Sequence, residues 1–347
     1  MTDTKTNPAP DRPLVTFALF AYNQEQYIRE AVEGAFSQTY EPLEIILSDD
    51  CSSDQTFEIM QRMAAAYNGP HEVRARRSSM NRGILNHVLE VAHEARGTFI
   101  VVAAGDDISR PERTNTLVDI AVKNDWQGLS SACDEFRDGN VEGSITLNTV
   151  KPIKINILNG SPIVQQIHGA SSAYATSFLR GLPLPKEKVL LEDYVLQILL
   201  HIKGYKAGSV EHSLIFRRIH ENNIGPGSLG RRKLGVLEME RKISDHYKRM
   251  LPSLKYIEQV EKEISSLSGT FNESAVEPDA MRYCALRACW MESSPSKRLQ
   301  LASMSRKFGS PRRDMLRALG PGAFNILVSI AEKFHWRFVH RNEDKKG

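Results

Sequence analysis

The feature that most limits what this chain can fold into is an alternation in its first hundred residues. Short apolar runs, each closed by polar groups, are separated by stretches with helical periodicity. Leu14 to Ala21, Leu43 to Leu47, Val73 to Arg76 and Phe99 to Ala103 read as strands. Between them, Tyr27, Ile28, Ala31, Val32, Ala35 and Phe36 share one helical face. So do Phe57, Met60, Met63, Ala64 and Tyr67, and then Ile84, Leu85, Val88, Val91, Ala92 and Ala95. Strands alternating with helices of about a dozen residues build βαβ units. The expected class is α/β, a mostly parallel central sheet with helices on both faces. Ligands of such sheets bind outside the carboxyl ends of the strands. Asn23, the pair Asp49–Asp50 and the pair Asp106–Asp107 all fall at such ends.

The strand into Ala104-Gly105-Asp106-Asp107 has a chemistry of its own. Gly105 lets the backbone bend tightly, and adjacent carboxylates are hard oxygen ligands suited to Mg2+ or Mn2+. The competing reading is a solvated acidic turn. Ser52 with Gln55, and Ser109 with Glu112, have capping-box spacing, the latter for a helix with Pro111 in its first turn. A dinucleotide or P-loop site needs glycines after the first strand, and Ala21-Tyr22-Asn23-Gln24-Glu25-Gln26 has none.

A net charge of +3 gives no case for nucleic acid, and no run of 18 apolar residues spans a bilayer. Four cysteines without a CxxC pair fit reduced thiols and a cytoplasmic setting. Residues 1–12, polar and proline-rich, are expected to be a disordered tail.

Tyr22-Asn23, Ser48-Asp49-Asp50-Cys51-Ser52-Ser53-Asp54-Gln55-Thr56, Asn81-Arg82-Gly83 and Gly105-Asp106-Asp107, in this order, resemble the inverting family 2 glycosyltransferases of the GT-A fold, over roughly residues 13 to 225. The resemblance implies a catalytic domain over 13–228 and a nucleotide-sugar donor, commonly a UDP-sugar. Donor binding would fall to Ala21, Tyr22, Asn23, Glu25, Asp49 or Asp50, Arg82, Gly105 and Asp106. Asp106, Asp107 and His220 would hold Mn2+ or Mg2+, with Arg218 as a phosphate partner. Ala104 replaces the first acid of the family's Asp-x-Asp motif, which removes a ribose contact and leaves the later acids for the metal. The stretch His168-Gly169-Ala170-Ser171 would lie between donor and acceptor. Asp193 falls on the position of the catalytic base, with Glu192 as its neighbour. Without the resemblance, those two acids read as favourable charges at a helix N-terminus, and His220 as structural.

The implied reaction is transfer of a hexosyl or N-acetylhexosaminyl group to a glycan or lipid-linked acceptor in surface polysaccharide or lipopolysaccharide synthesis. A sugar nucleotidyltransferase and a non-catalytic sugar-nucleotide-binding relative are the alternatives. Elsewhere, Trp126 to Thr149 reads as irregular, with a turn at Asp138-Gly139-Asn140. Residues 229–347 read as a helical region whose first helix, Arg231 to Ser268, breaks near Pro252. Cys284 and Cys289 are expected to pack inside it as small apolar side chains. A final helix, Ala323 to about His340, has an apolar face flanked by basic residues. It would pack on the catalytic domain, form a homo-oligomer, or touch the inner membrane surface peripherally.

Overall fold

The computed structural model describes residues 12–136, 150–152, 157–158, 161–162, 167–220, 236–268, 278–308, 315, 317–321 and 323–324. The chain forms two compact units, residues 1–156 with 164–228, and 157–163 with 229–347. The N-terminal tail, the turn at Asp138-Gly139-Asn140 and the final helix beyond Phe324 lie outside the described residues.

In the first unit, β1 (Val15–Ala21), β2 (Leu43–Asp49), β3 (Glu72–Arg77) and β4 (Phe99–Ala104) alternate with α1 (Ile28–Phe36), α2 (Thr56–Ala66) and α3 (Ile84–Glu94). Every residue of β1 and β2 is buried, so both faces of the sheet need cover. Val15, Phe17, Leu19 and Ala21 share a core with Ile28, Ala31 and Val32 of α1. On the other face Phe20 meets His87 of α3 edge-on, ring centroids 5.0 Å apart. Burial pushes the His87 imidazole down to about 3, so it sits there neutral.

The chain continues through β5 (Ile108–Ser109), α4 (Arg113–Asn124), β6 (Gly128–Phe136) and β7 (Val150–Pro152). Two-residue strands β8 (Ile157–Leu158) and β9 (Ser161–Pro162), which pair with each other, go with the second unit. A 3-10 turn, Gly169–Ser171, then leads into β10 (Ser172–Ala175), α5 (Thr176–Arg180), α6 (Glu192–Ile202) and β11 (Ala207–Arg218). The sheet order is β3-β2-β1-β4-β10-β6-β11-β5, with β7 also on β11. Pairing is parallel from β3 to β4 and mixed beyond. β10 runs antiparallel to both β4 and β6, and β6 is parallel to β11. Two reversals restore the strand direction. β11 therefore ends on the same edge as β1, β2 and β4, and β10 begins there.

Three local expectations are corrected. Residues 128–136 form a nine-residue strand rather than irregular chain. Its buried stretch is made partly of Ser130 and Ser131, whose small polar side chains hide a core strand from any apolar pattern. Neither capping box forms: α2 and α4 begin after Gln55 and Glu112, and neither residue makes a side-chain cap. Ser52 instead donates to Asp49, and Ser109 accepts from Arg113 inside β5.

The second unit contains α7 (Val236–Ser268), α8 (Pro278–Ala288) and α9 (Pro295–Phe308). α7 runs through Pro252 without a break. The proline removes one backbone hydrogen bond, but Leu254, Tyr256, Ile257 and Val260 just beyond it are buried, and their packing offsets the loss. Tyr283, Leu286, Trp290, Leu301 and Phe324 form this unit's core. Cys284 is buried, its thiol pushed up to about 12 by that burial, whereas Cys289 is exposed, contrary to expectation. Among the described residues no helix is long and apolar enough to cross a membrane.

Candidate active site

The loops leaving β1 and β2 are joined side by side. The Asn23 N–H donates to Ser52 Oγ (2.8 Å), and Asn23 Oδ1 accepts the Ser53 N–H (2.8 Å). The Gln24 N–H donates to Thr56 Oγ1 (2.8 Å), the Glu25 N–H to Asp54 (3.1 Å), and Glu25 accepts the Gln55 N–H (2.9 Å). Asn23 adopts a left-handed backbone (φ 52°) to make this turn, a conformation asparagine tolerates better than most residues. Asn23 and Glu25 thus shape the loops at the strand ends. Tyr22 is half exposed, and buried Ala21 offers its carbonyl to the Asp50 N–H (2.9 Å).

Asp49 and Asp50 have separate tasks. Asp49, fully buried, accepts from the Ser52 N–H and hydroxyl and pairs with Arg77 (3.3 Å). Asp50 accepts the N–H groups of Arg82 (2.8 Å) and Gly83 (3.0 Å), so it anchors the turn that presents Arg82. Burial raises its carboxyl above the usual range, and those two N–H groups pull against it. The Arg82 guanidinium, 44% exposed, lies beside Glu90 (3.3 Å).

At the end of β4, Gly105 has no room for a side chain. A Cβ there would stand 2.5 Å from Gln24 Oε1 and 2.9 Å from the Ala21 Cβ. The turn brings Asp106 Oδ2 to 2.9 Å from His220 Nε2. His220 stacks on Tyr27, centroids 4.8 Å apart. Asp107 is buried and its Oδ1 accepts the Arg218 N–H (2.9 Å). Burial, then the neighbouring Asp106, push the Asp107 carboxyl up. The Arg218 guanidinium donates to the Asp106 carbonyl (3.2 Å) and to Glu30 (2.9 Å), and lies over the rings of Tyr27 and Phe136. It braces the turn from behind.

Because β10 begins at this edge, the turn before it lies beside the end of β4. That turn meets the N-terminus of α6. The Gly169 N–H donates to Asp193 Oδ2 (3.3 Å), and the Tyr194 N–H to Asp193 Oδ1 (2.7 Å). A Cβ on Gly169 would stand 2.1 Å from Glu192 Oε1. Burial, then Asp193, push the Glu192 carboxyl well above its usual range. The structure thus brings His168–Ser171 together with Glu192–Asp193.

Sequence reasoning missed Arg113. It is fully buried and donates to Ser109 Oγ (2.8 Å) and to the carbonyls of Val102, Ala170 (2.9 Å) and Ser172 (3.5 Å). Burial pulls its guanidinium down to about 9 against the attraction of Asp107. An arginine just after Pro111 reads in sequence as a solvated first-turn residue, so only tertiary contacts reveal it.

Among the described residues no three His, Cys, Asp or Glu side chains converge as a ready-made metal cage. Asp106 and His220 still offer adjacent oxygen and nitrogen donors, a set that suits Mn2+. A cation held mainly by diphosphate oxygens needs only one or two protein carboxylates. The pair therefore fits a divalent cation shared with a phosphate ligand.

Residues 16–180 match the model of glycosyl transferase family 2. The chain is 29% identical over 210 residues to the putative glycosyltransferase EpsE of Bacillus subtilis, covering 58% of this chain and 72% of that protein. It is 34% identical over 137 residues to the succinoglycan biosynthesis protein ExoO of Rhizobium meliloti, covering 39% of this chain and 37% of that one. Among solved structures, S. aureus TarS 1-349 in complex with UDP-GlcNAc is similar at 16% identity and a TM-score of 0.51, over 89% of this chain and 80% of that one. The mannosyltransferase PcManGT from Pyrobaculum calidifontis, in complex with GDP-Man and Mn2+, is similar at 14% identity and a TM-score of 0.51, over 92% and 80%. At such identities these two likenesses show a shared GT-A-type fold.

Proposed function

We propose, from the premise that residues 16–180 are a glycosyl transferase family 2 domain, that this chain moves a sugar from a nucleotide-diphosphate sugar to an acceptor hydroxyl with inversion. The carrying observation is that Asp106–His220 and Glu192–Asp193 gather at one sheet edge, where the Gly169 turn before β10 meets the N-terminus of α6. Two chemical demands meet there. Negative charge develops on the leaving diphosphate, and the acceptor hydroxyl must lose a proton. Asp106 and His220, with Asp107 behind them, would hold a divalent cation, whose chemistry when bound is to neutralise the leaving diphosphate. Arg82, presented by Asp50, adds positive charge on the donor side. Asp193 takes the acceptor proton, its carboxylate oriented by the Gly169 and Tyr194 N–H groups. Glu192, driven toward its neutral form by burial, adds little competing negative charge beside that base.

A UDP-sugar is the donor we favour, since TarS is seen with UDP-GlcNAc. The name of ExoO, a succinoglycan biosynthesis protein, supports a polysaccharide as the product, and a surface polysaccharide is the class we favour. Residues 13–228 are assigned the chemistry, and 229–347 packing or assembly.

The test is release of UDP from UDP-N-acetylglucosamine with Mn2+. Asp193→Asn is expected to lower turnover by about 100- to 10,000-fold while calorimetry finds donor affinity retained. Wild-type turnover in that variant overturns the assignment of Asp193.

A further inference from the structure

Arg113 opens α4, shortly after Asp106–Asp107 and far in sequence from Glu192–Asp193, and it touches the segments that hold both pairs. Val102 lies in β4, the strand that ends in the Asp106 turn. Ala170 lies in the turn whose Gly169 N–H holds Asp193, and Ser172 opens β10 directly after it. One guanidinium nitrogen, Nη2, is shared among the carbonyls of Val102, Ala170 and Ser172, while Nη1 is anchored on Ser109 Oγ. The side chain is 0% exposed, and its guanidinium carbon lies 5.8 Å from the centre of the Phe17 ring. Burying a guanidinium is costly, and an apolar side chain of similar volume is often neutral or better for stability. Stability alone therefore gives weak reason for an arginine here. Geometry gives a stronger one: a planar fork can fix several carbonyls from different segments at once.

We propose that Arg113 is a positioning residue that sets the Asp193 turn against the strand carrying Asp106, and so holds the acceptor side of the reaction in line with the leaving-group side. This rests on the glycosyl-transfer reading above. The test compares Arg113→Lys and Ser109→Ala with wild type, using Asp193→Asn as control. Readouts are the melting temperature, UDP affinity by calorimetry, and kcat and KM for nucleoside diphosphate release with Mn2+. The donor is whichever of UDP-N-acetylglucosamine, UDP-glucose and GDP-mannose the wild type turns over. A misplacement of about 1 Å can cost about 100-fold. Arg113→Lys, folded at the assay temperature, is expected to lose about that much kcat with UDP affinity and donor KM little changed. Ser109→Ala, which frees one end of the fork, should shift kcat in the same direction by less.

Wild-type kcat in folded Arg113→Lys, whatever its melting temperature, overturns the proposal and leaves Arg113 a structural residue. Should Arg113→Lys fail to fold, Ser109→Ala decides: a lower melting temperature with unchanged kcat overturns it as well. Wild-type turnover by Asp193→Asn, or no release from any of the three donors by wild type, instead overturns the glycosyl-transfer reading, and the proposal falls with it.

Discussion

Gly169 lies directly under the carboxylate of Glu192. An alanine Cβ would stand 2.1 Å from Glu192 Oε1 and 3.7 Å from the Asp193 Cβ, so it meets the two acids of α6 before anything else. The clashing atom is the end of a flexible, partly buried side chain, so Glu192 has to turn aside to admit the methyl group. Gly169→Ala should therefore displace Glu192 and, through the shared turn, the Gly169 N–H that Asp193 accepts. Overpacking of this kind costs about 1–3 kcal/mol. Displacement of a base by about 1 Å costs on the order of 100-fold in rate. Melting curves and steady-state kinetics on the same preparation check both. Equal activity in Gly169→Ala would mean that Glu192 and the turn have slack the contacts do not show.

At the scale of elements, the two edges of the sheet are built by opposite means. The carboxyl edge is loops bonded to loops, Asn23 to Ser52 and Ser53, and Gln24 to Thr56. The other edge is stapled by one acid. Glu44 of β2 accepts from the Thr16 hydroxyl of β1 and from the backbone N–H groups of Arg96 and Gly97 before β4. Burial pushes the Glu44 carboxyl up, but the hydrogen bonds from Thr16, Arg96 and Gly97 more than offset that and hold it below the usual 4.5. A carboxyl whose pKa is depressed in the folded state contributes stability that is present above its unfolded value and lost as pH falls through the folded one. The first unit should accordingly lose stability on acidification below 4.5, and Glu44→Gln should be less stable at neutral pH with a flatter response across that window. Melting temperatures of both proteins from neutral to acid pH give the comparison. Parallel curves would remove Glu44 from the account.

The whole molecule places a second costly buried group in its second unit. In the helical unit Glu240 is bonded to Arg287 (3.0 Å) and to Arg317 (2.7 Å), with all three side chains buried. Removing one partner of a buried ion network leaves uncompensated charge and costs about 3–5 kcal/mol. Glu240→Ala should lower hydrogen-exchange protection in α7 and α8 while β1 to β4 keep theirs, since each unit has its own core. Loss of protection in both units together would show that they unfold as one.

How much of this was legible in sequence follows from what each residue does. β1, β2 and β4 are runs of buried apolar residues, and burial of both faces leaves a signal that survives any tertiary context. The positions of Asn23, Asp49, Asp50, Asp106 and Asp107 followed, because parallel strands must end on one edge. The reversal at β10 left no such mark, since four residues pair equally well in either direction and only the neighbouring strands choose. Nor did the division of labour among the acids. Asp49 and Asp50 are adjacent and identical in sequence, yet one is spent on Arg77 and Ser52 and the other on the turn that presents Arg82. The buried Arg113 and Glu240 were invisible for a related reason. Local pattern assigns a charged side chain to solvent by default, and whether it finds enough fixed partners to be buried instead is decided by segments far away in the chain. The sequence by itself therefore determined the α/β class, the edge where polar groups collect and which residues are candidates. Tertiary structure alone decided which of them face one another, because hydrogen bonds between distant segments form only once the sheet has brought their carbonyls and carboxylates together.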